Sequence, residues 1–186
     1  MTLLLAKNAV ITGGSDGIGL GIATEFARAG AANLVLVGRD ASKLETARKS
    51  LAAFPDTAVH LLTADLSEPK VIATLAEQIM QQLPQLDILV NNAGLGRFVP
   101  FTQMDEALFD AHFNLNVKTP YFLTQALLPA LTTAKGNVIN ISSYFAHRML
   151  PDRATTAYSA TEVREGDTNG FDHYIIQKLA FTQQNP

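Results

Sequence analysis

The chain has 186 residues, of which 47% are hydrophobic, and its formal net charge is −3. This length and composition predict one domain over residues 1–186 with a sizeable core. The absence of cysteine excludes disulfides, thiolate metal sites and cysteine nucleophiles. The absence of cysteine also makes the reducing cytoplasm the expected setting. Because no long block of like charge marks a site for nucleic acid or an anionic membrane, we expect a protein that acts on small molecules.

Five short apolar runs have the length and β-branched content of strands. They lie at residues 8–12, 33–37, 58–63, 87–90 and 136–141. Their nearly continuous hydrophobicity is typical of parallel strands that are buried on both faces. The apolar start of the chain is too short for a signal-peptide core or a membrane span, so we interpret it as the lead-in to the first strand.

Amphipathic stretches alternate with these runs, at residues 17–29, 41–53, 68–82 and 104–131. A regular alternation of strand and helix predicts an α/β fold with a doubly wound parallel sheet. The alternation becomes irregular after about residue 144, where polar residues accumulate.

A glycine-rich turn follows the first predicted strand and opens the first predicted helix. It reads Thr12-Gly13-Gly14-Ser15-Asp16-Gly17-Ile18-Gly19. Gly13 permits a tight turn, Gly17 lets the backbone approach a pyrophosphate, and Gly19 lets the helix pack on the strand. The free N–H groups of the helix start would face the anion. An ordinary strand-to-helix turn is the alternative that this pattern alone leaves open.

The glycine spacing over residues 12–19 and the Asn91-Asn92-Ala93-Gly94 tetrad resemble signatures of the short-chain dehydrogenase/reductase family. The resemblance covers residues 7–143. It implies a Rossmann-like fold with strand order 3-2-1-4-5 that is shortened at its C-terminal end. It also implies an enzyme that uses a nicotinamide dinucleotide to interconvert a carbonyl and an alcohol on a small molecule. The cofactor-binding residues that it implies are Gly13, Ser15, Asp16, Gly17, Ile18, Gly19, Arg39, Asp65, Leu66, Asn91, Ala93 and Gly94.

The end of the second strand bears on cofactor choice. Gly38 stands where relatives that prefer NAD usually carry an acid, and Arg39 can offer a planar guanidinium to a 2′-phosphate. NADP(H) is therefore expected over NAD(H). Against this, Asp16 places a negative charge where NADP-preferring relatives often have a basic residue. Arg39 also fits a solvated surface residue that pairs with Asp40 or Glu45.

In the family, a tyrosine donates a proton to the substrate carbonyl, a lysine four residues later lowers the tyrosine pKa, and a serine polarises the carbonyl. By resemblance, Ser143 matches the serine and Asn116 matches an asparagine that supports a water relay. Tyr158 matches the tyrosine, but Glu162 stands where the lysine should be. A carboxylate there disfavours the phenolate that the reaction needs.

A second pair, Tyr174 and Lys178, has the complete tyrosine–lysine spacing. Residues 144–172 could be an insertion that places this pair beside Ser143. Alternatively, Tyr158 could occupy the family's catalytic tyrosine position, and the later pair would then have no catalytic role. A third interpretation is a short amphipathic helix with Tyr174 packed inward and Lys178 facing water. The candidate catalytic residues are thus Asn116, Ser143, Tyr158, Tyr174 and Lys178. The four histidines lack the paired spacing of metal ligands, so no metal is predicted.

Family members usually continue past this region into two further strands and a substrate-covering lid. Without them the fifth strand would be exposed or covered differently, which predicts self-association into a homo-oligomer or marginal stability. A truncated or frame-shifted product would also explain the departure from the family pattern. A second function therefore stays open: a catalytically silent module that binds a dinucleotide or a partner, which Glu162 and the short C-terminus favour.

Overall fold

The computed structural model describes residues 3–146, 156–162 and 176–180, with the backbone alone at 156 and 176–180. The described strands form a six-stranded sheet in the order β3-β2-β1-β4-β5-β6. The first five are parallel, which confirms the predicted order 3-2-1-4-5. The strand bounds are β1 Asn8–Thr12, β2 Asn33–Gly38, β3 Ala58–Thr63, β4 Ile88–Asn91, β5 Asn137–Ile141 and β6 Ile176–Ala180.

Helices connect the parallel strands. Their bounds are α1 Gly17–Arg28, α2 Ala41–Ser50, α3 Ile72–Gln82, α4 Glu106–Phe113, α5 Thr119–Ala134 and α6 Thr156–Glu162. The amphipathic stretch 104–131, expected to be continuous, is divided by a π-helical turn at Asn114–Lys118. Such turns are rare and often lie at functional sites, because they re-aim side chains within an otherwise regular helix.

The core lies on both faces of the sheet. Successive strand residues point to opposite faces, so an apolar run buries one set on each side. One buried cluster packs β1, β2, β4 and β5 residues such as Val10 and Leu89 against α3 and α5. The other packs Ile11 and Leu36 against α1 and α2. The two-sided burial explains why the strand segments are continuously hydrophobic rather than alternating.

The free edge of β5 is covered by β6, which pairs with it in antiparallel orientation and places Lys178 opposite Ile139. Residues 176–180 therefore form a strand, not the short helix that the sequence pattern also allowed. The open hydrogen-bonding groups at the edge of β5 account for the difference, since this short segment pairs with them as a strand and would leave them unpaired as a helix.

In the segments that the structure describes, no helix combines the length and the apolar character that crossing a membrane would require.

Candidate active site

The glycine turn between β1 and α1 opens toward solvent. Gly13 has φ +65° and Gly17 has φ +53°, in the left-handed region that glycine adopts without strain. A Cβ atom placed on Gly17 would meet nothing within 4 Å. The backbone at the start of α1 therefore borders open space, as a phosphate-binding helix N-terminus requires. The neighbouring side chain of Ile18 is 44% exposed.

Gly19 is buried against the same turn. A Cβ atom there would overlap the Gly13 carbonyl oxygen and lie 2.6 Å from Asn92 Nδ2. A Cβ atom on Gly13 would also approach Asn92 Nδ2, to 2.8 Å. Both glycines are thus required because α1, the turn and the loop after β4 are in close contact, and a side chain would not fit between them. An ordinary strand-to-helix turn would need glycine only for its backbone conformation.

Asp16 caps the first helix. Its Oδ1 accepts a hydrogen bond from Gly17 N at 2.8 Å, and its Oδ2 lies 3.3 Å from Lys43 Nζ in the first turn of α2. The Gly17 N–H bond, and after it the hydrogen bond and charge of Lys43, lower the pKa of the Asp16 carboxyl. Nearby, Ser15 Oγ would lie 3.3 Å from a Cβ atom on Gly38. The turn is therefore in contact with the end of β2.

Two residues absent from the predicted site hold this turn in place. Asn92 Nδ2 donates to the carbonyl oxygens of Thr12 at 2.9 Å and Gly13 at 3.3 Å. Thr12 Oγ1 accepts from the backbone N–H groups of Asn92 and Ala93, both at 3.0 Å. Thr12 and Asn92 are positioning residues that join the end of β1 to the loop after β4. Thr12 lies in the glycine turn and Asn92 in the tetrad of residues 91–94, so these two motifs could have indicated both residues from the sequence.

Asn92→Ala is expected to lower the free energy of unfolding by about 1–3 kcal/mol, because it removes the donor to two carbonyl oxygens beneath the turn. Urea denaturation measures the loss. Thr133→Ala is a control, since it removes one side-chain donor, to the Pro129 carbonyl oxygen, at an exposed position on α5. Equal stability losses in the two variants would contradict the proposed importance of Asn92.

Arg39 follows the carboxyl end of β2, and Asp65 follows that of β3. Both residues are exposed. The Ser67 hydroxyl donates to Asp65 Oδ1 at 2.7 Å and the Ser67 backbone N–H does so at 3.0 Å. These bonds, first the hydroxyl and then the N–H, lower the pKa of Asp65, and the positive charge of Arg39 adds to the effect.

The two nearby carboxylates that could form a surface ion pair with Arg39 have other contacts. Asp40 Oδ1 accepts from Lys43 N at 3.0 Å as the cap of α2, and Glu45 Oε1 lies 2.7 Å from Arg48 Nη2. Both carboxylates are thus engaged by groups of α2, and among the described residues neither forms a hydrogen bond or ion pair with the Arg39 guanidinium.

Several predicted cofactor residues are buried supports. The Leu66 side chain is 5% exposed, and its carbonyl oxygen accepts from Thr119 Oγ1 at 2.7 Å. Asn91 is 4% exposed, and its Nδ2 donates to Asn140 Oδ1 at 2.9 Å. Gly94 lies in the loop after β4, where a Cβ atom would be 3.6 Å from Asn116 Oδ1. The end of β4 is therefore bonded to β5, and the loop that follows passes close to Asn116 in the π-helical turn.

Asn116 occupies the middle of the π-helical turn and is 1% exposed. Its Oδ1 accepts from Leu95 N at 2.8 Å, and its Nδ2 donates to the Leu95 carbonyl oxygen at 3.0 Å. Nδ2 also donates to Thr161 Oγ1 at 2.9 Å. One side chain thus joins the loop after β4 to helix α6.

Helix α6 is also attached to the end of β5. Ser142 Oγ donates to the Glu162 carbonyl oxygen at 2.8 Å, and Thr161 Oγ1 donates to the Tyr158 carbonyl oxygen at 2.8 Å. Glu162 is 5% exposed, so its carboxyl group is inside the structure. Ser143 follows Ser142, and its Oγ accepts from Phe145 N at 3.3 Å. The candidate serine and the helix that carries Tyr158 therefore meet at the carboxyl end of β5.

The Tyr158 ring is half-buried within an aromatic cluster. Its centroid lies 5.3 Å from that of Phe98 and 6.2 Å from that of Phe145, both in edge contact. A Cβ atom on Gly96 would lie 3.5 Å from Tyr158 Cε2. The loops after β4 and β5 thus hold the ring from two sides, a favourable arrangement for aromatic edges and faces.

Of the second candidate pair, the structure describes only the backbone of Lys178. Tyr174 lies outside the described residues. The backbone of Lys178 is in β6, opposite Ile139 in the interior of β5, whereas Ser143 follows the end of that strand. Because residues 176–180 form a strand, the helical spacing that would align a tyrosine with a lysine four residues later is absent at the lysine.

Metal chemistry finds no support in the part of the chain described, where no group of three or more histidine, aspartate or glutamate side chains could hold an ion.

A family model described as short chain dehydrogenase matches residues 7–163. The matched segment begins before β1 and includes the glycine turn, the π-helical turn, Ser143 and α6. This chain belongs to the short chain dehydrogenase family. The resemblance inferred from residues 12–19 and 91–94 is thereby confirmed.

Named relatives agree with this assignment. An uncharacterized oxidoreductase of Staphylococcus saprophyticus is 33% identical over 163 residues, covering 87% of this chain and 68% of its own length. L-rhamnose 1-dehydrogenase (NADP(+)) of Thermoplasma acidophilum is 33% identical over 171 residues, covering 91% and 65%. A metagenomic short-chain oxidoreductase in complex with NADP has a TM-score of 0.77 at 38% identity, covering 86% and 71%. The chain spans about two thirds of these proteins.

Proposed function

We propose that this short chain dehydrogenase is an NADP(H)-dependent oxidoreductase that interconverts a carbonyl and an alcohol on a small molecule. The observation that carries the proposal is the open glycine turn, where Gly17 at φ +53° borders empty space at the start of α1. A relative whose name specifies NADP(+) and a similar structure in complex with NADP support the cofactor choice. We further propose a cytoplasmic homo-oligomer of single-domain chains.

The described residues fit the dinucleotide. The start of α1 at Gly17 would receive the pyrophosphate, and Arg39 would face the 2′-phosphate. Asp65 and the Leu66 backbone would border the adenine, while Ala93 and Gly94 would line the loop between the adenine end and α6. When bound, the dinucleotide supplies the hydride.

For proton transfer, we propose Tyr158 in preference to Tyr174. The support is that α6 is bonded to Asn116 through Thr161 and to Ser142 through the Glu162 carbonyl oxygen. Ser143 would polarise the substrate carbonyl, and Tyr158 would donate the proton to its oxygen. Asn116 would hold α6 and the loop after β4 in register, which makes it a positioning residue.

A second function, a catalytically impaired dinucleotide-binding module, has a specific observation in its favour. Glu162 is 5% exposed and lies four residues after Tyr158, where the family carries a lysine. A carboxylate inside the protein opposes phenolate formation on a nearby tyrosine and offers no positive charge to the cofactor. Under this alternative the glycine turn binds NADP(H), but no carbonyl is reduced.

Calorimetric titration with NADPH and NADH tests the shared part of both proposals. We expect NADPH to bind more tightly, and Arg39→Ala to weaken NADPH by about tenfold, because a charge-assisted hydrogen bond to phosphate is lost. NADH affinity should be unchanged. Arg48→Ala is the matched control, since it removes a guanidinium that pairs with Glu45 on α2.

The outcomes separate cofactor choice from nucleotide binding. Tighter binding of NADH than of NADPH would contradict the NADP(H) assignment while leaving a nucleotide site. Failure of the chain to bind either dinucleotide would contradict both the oxidoreductase and the impaired-module proposals.

A further inference from the structure

An ion pair connects the glycine turn to the second helix. Lys43 Nζ lies 3.3 Å from Asp16 Oδ2, and the two side chains are 59% and 72% exposed. Such exposed pairs add little to stability, since solvent screens the charges and both side chains lose freedom. The pair can therefore rearrange at small cost when a stronger anion is present.

The position of the pair is what distinguishes it from other surface pairs. Ser15 Oγ would lie 3.3 Å from a Cβ atom on Gly38, so the turn and the end of β2 are in contact there. Arg39 follows Gly38 directly, and Lys43 stands in the first turn of the helix that begins two residues later, at Ala41. Ser15 on the one side, and Arg39 and Lys43 on the other, thus stand on two segments that meet near the end of β2.

The two oxygens of Asp16 have separate tasks. Oδ1 accepts from Gly17 N at 2.8 Å and caps α1, whereas Oδ2 faces Lys43. Lys43 can consequently leave the carboxylate without breaking the cap. The start of α1, and with it the pyrophosphate site, would keep its geometry while the ammonium changes partner.

We propose that Lys43 is a second cation for the 2′-phosphate of NADP(H), held by Asp16 until the phosphate replaces that carboxylate. The inference rests on the proposed function. A phosphate monoester carries more negative charge than a carboxylate and offers more acceptor oxygens, so the ammonium gains by the exchange. NAD(H) has a neutral hydroxyl at this place and leaves Lys43 with Asp16.

The pair also answers the objection that Asp16 raises against NADP(H). Until a phosphate arrives, Lys43 offsets the negative charge of Asp16, so the approaching anion does not meet an uncompensated carboxylate. After the exchange the carboxylate is uncompensated again, and this cost is what Asp16→Asn removes. Discrimination between the two cofactors then depends on Arg39 and Lys43 together, with Asp16 setting how readily the lysine is released.

The test uses the full chain and calorimetric titration with 2′,5′-ADP and 5′-AMP, which carry or lack the 2′-phosphate and undergo no hydride transfer. Lys43→Ala should weaken 2′,5′-ADP about tenfold and leave 5′-AMP within about twofold. Lys49→Ala is the matched control, because it removes the same charge from an exposed position on the same helix. It should leave both affinities within about twofold.

A second variant tests the role of Asp16. Asp16→Asn retains an oxygen that can cap α1 but removes the carboxylate from Lys43. We expect 2′,5′-ADP to bind several-fold more tightly to this variant, and the gain to shrink when Lys43→Ala is present, as a double-mutant cycle measures. An equal gain in the two backgrounds would overturn the exchange between Asp16 and phosphate.

The remaining outcomes are distinguishable. If the wild-type chain favours 2′,5′-ADP and Arg39→Ala reduces this preference, but Lys43→Ala behaves like Lys49→Ala, the inference is overturned and NADP(H) stands. If the wild-type chain does not favour 2′,5′-ADP over 5′-AMP, both the cofactor choice and the inference are overturned.

Discussion

Glu162→Lys is expected to raise the rate of NADPH-dependent carbonyl reduction by about 10²–10⁴-fold, the usual contribution of a positioned acid–base group. The substitution puts an ammonium four residues after Tyr158 on α6, where the two groups share a helix face. The positive charge favours the phenolate that the native carboxylate disfavours. The measurement is NADPH oxidation under single-turnover conditions with a panel of small aliphatic and aromatic ketones and aldehydes.

Three controls make this result specific. Glu162→Gln removes the negative charge without supplying a positive one and should give a much smaller gain. Tyr158→Phe added to Glu162→Lys should return the rate to background, whereas Tyr174→Phe should leave it high. The Ser142 bond is to the Glu162 backbone carbonyl, so these substitutions retain it. NADPH titration of each variant checks that the cofactor still binds.

The same variants decide between the two proposed functions. A wild-type chain that binds NADPH but gains turnover only with Glu162→Lys is the impaired module. A wild-type chain that loses activity with Tyr158→Phe is an active enzyme. If Glu162→Lys binds NADPH and remains active after Tyr158→Phe, Tyr158 is not the proton donor.

Gly19→Ala is expected to abolish detectable NADPH binding and to lower the free energy of unfolding by about 1–3 kcal/mol, as overpacking does. The new methyl group would overlap the Gly13 carbonyl oxygen and press on Asn92 Nδ2, so α1 must move away from the turn. Urea denaturation and calorimetric titration measure the two effects separately.

Gly21→Ala is the matched control in the same helix. A Cβ atom on Gly21 meets nothing within 4 Å, and the residue is exposed. Replacing an exposed helical glycine by alanine should stabilise the chain by about 0.5–1 kcal/mol and leave NADPH binding unchanged. A Gly19→Ala variant that bound NADPH as well as Gly21→Ala does would contradict the tight packing inferred here.

The sequence alone determined the architecture of the parallel sheet and its ligand-facing turn. The predicted strand bounds 8–12 and 58–63 coincide with β1 and β3, those for β2 and β5 differ by one residue at one end, and those for β4 are shifted by one residue. These features are local, since continuous apolar runs and glycine spacing act within a few residues along the chain. The family motifs then selected the strand order.

Only the tertiary structure decided how the site is held together. Asn92 bonds to Thr12 across 80 residues, Asn116 to Thr161 across 45, and Lys43 to Asp16 across 27. The π-helical turn that presents Asn116 lay inside an uninterrupted helical pattern, and β6 formed where a helix was also possible. Each depends on groups brought together by folding, such as an unpaired strand edge or a carbonyl beneath a turn, and no local periodicity encodes them.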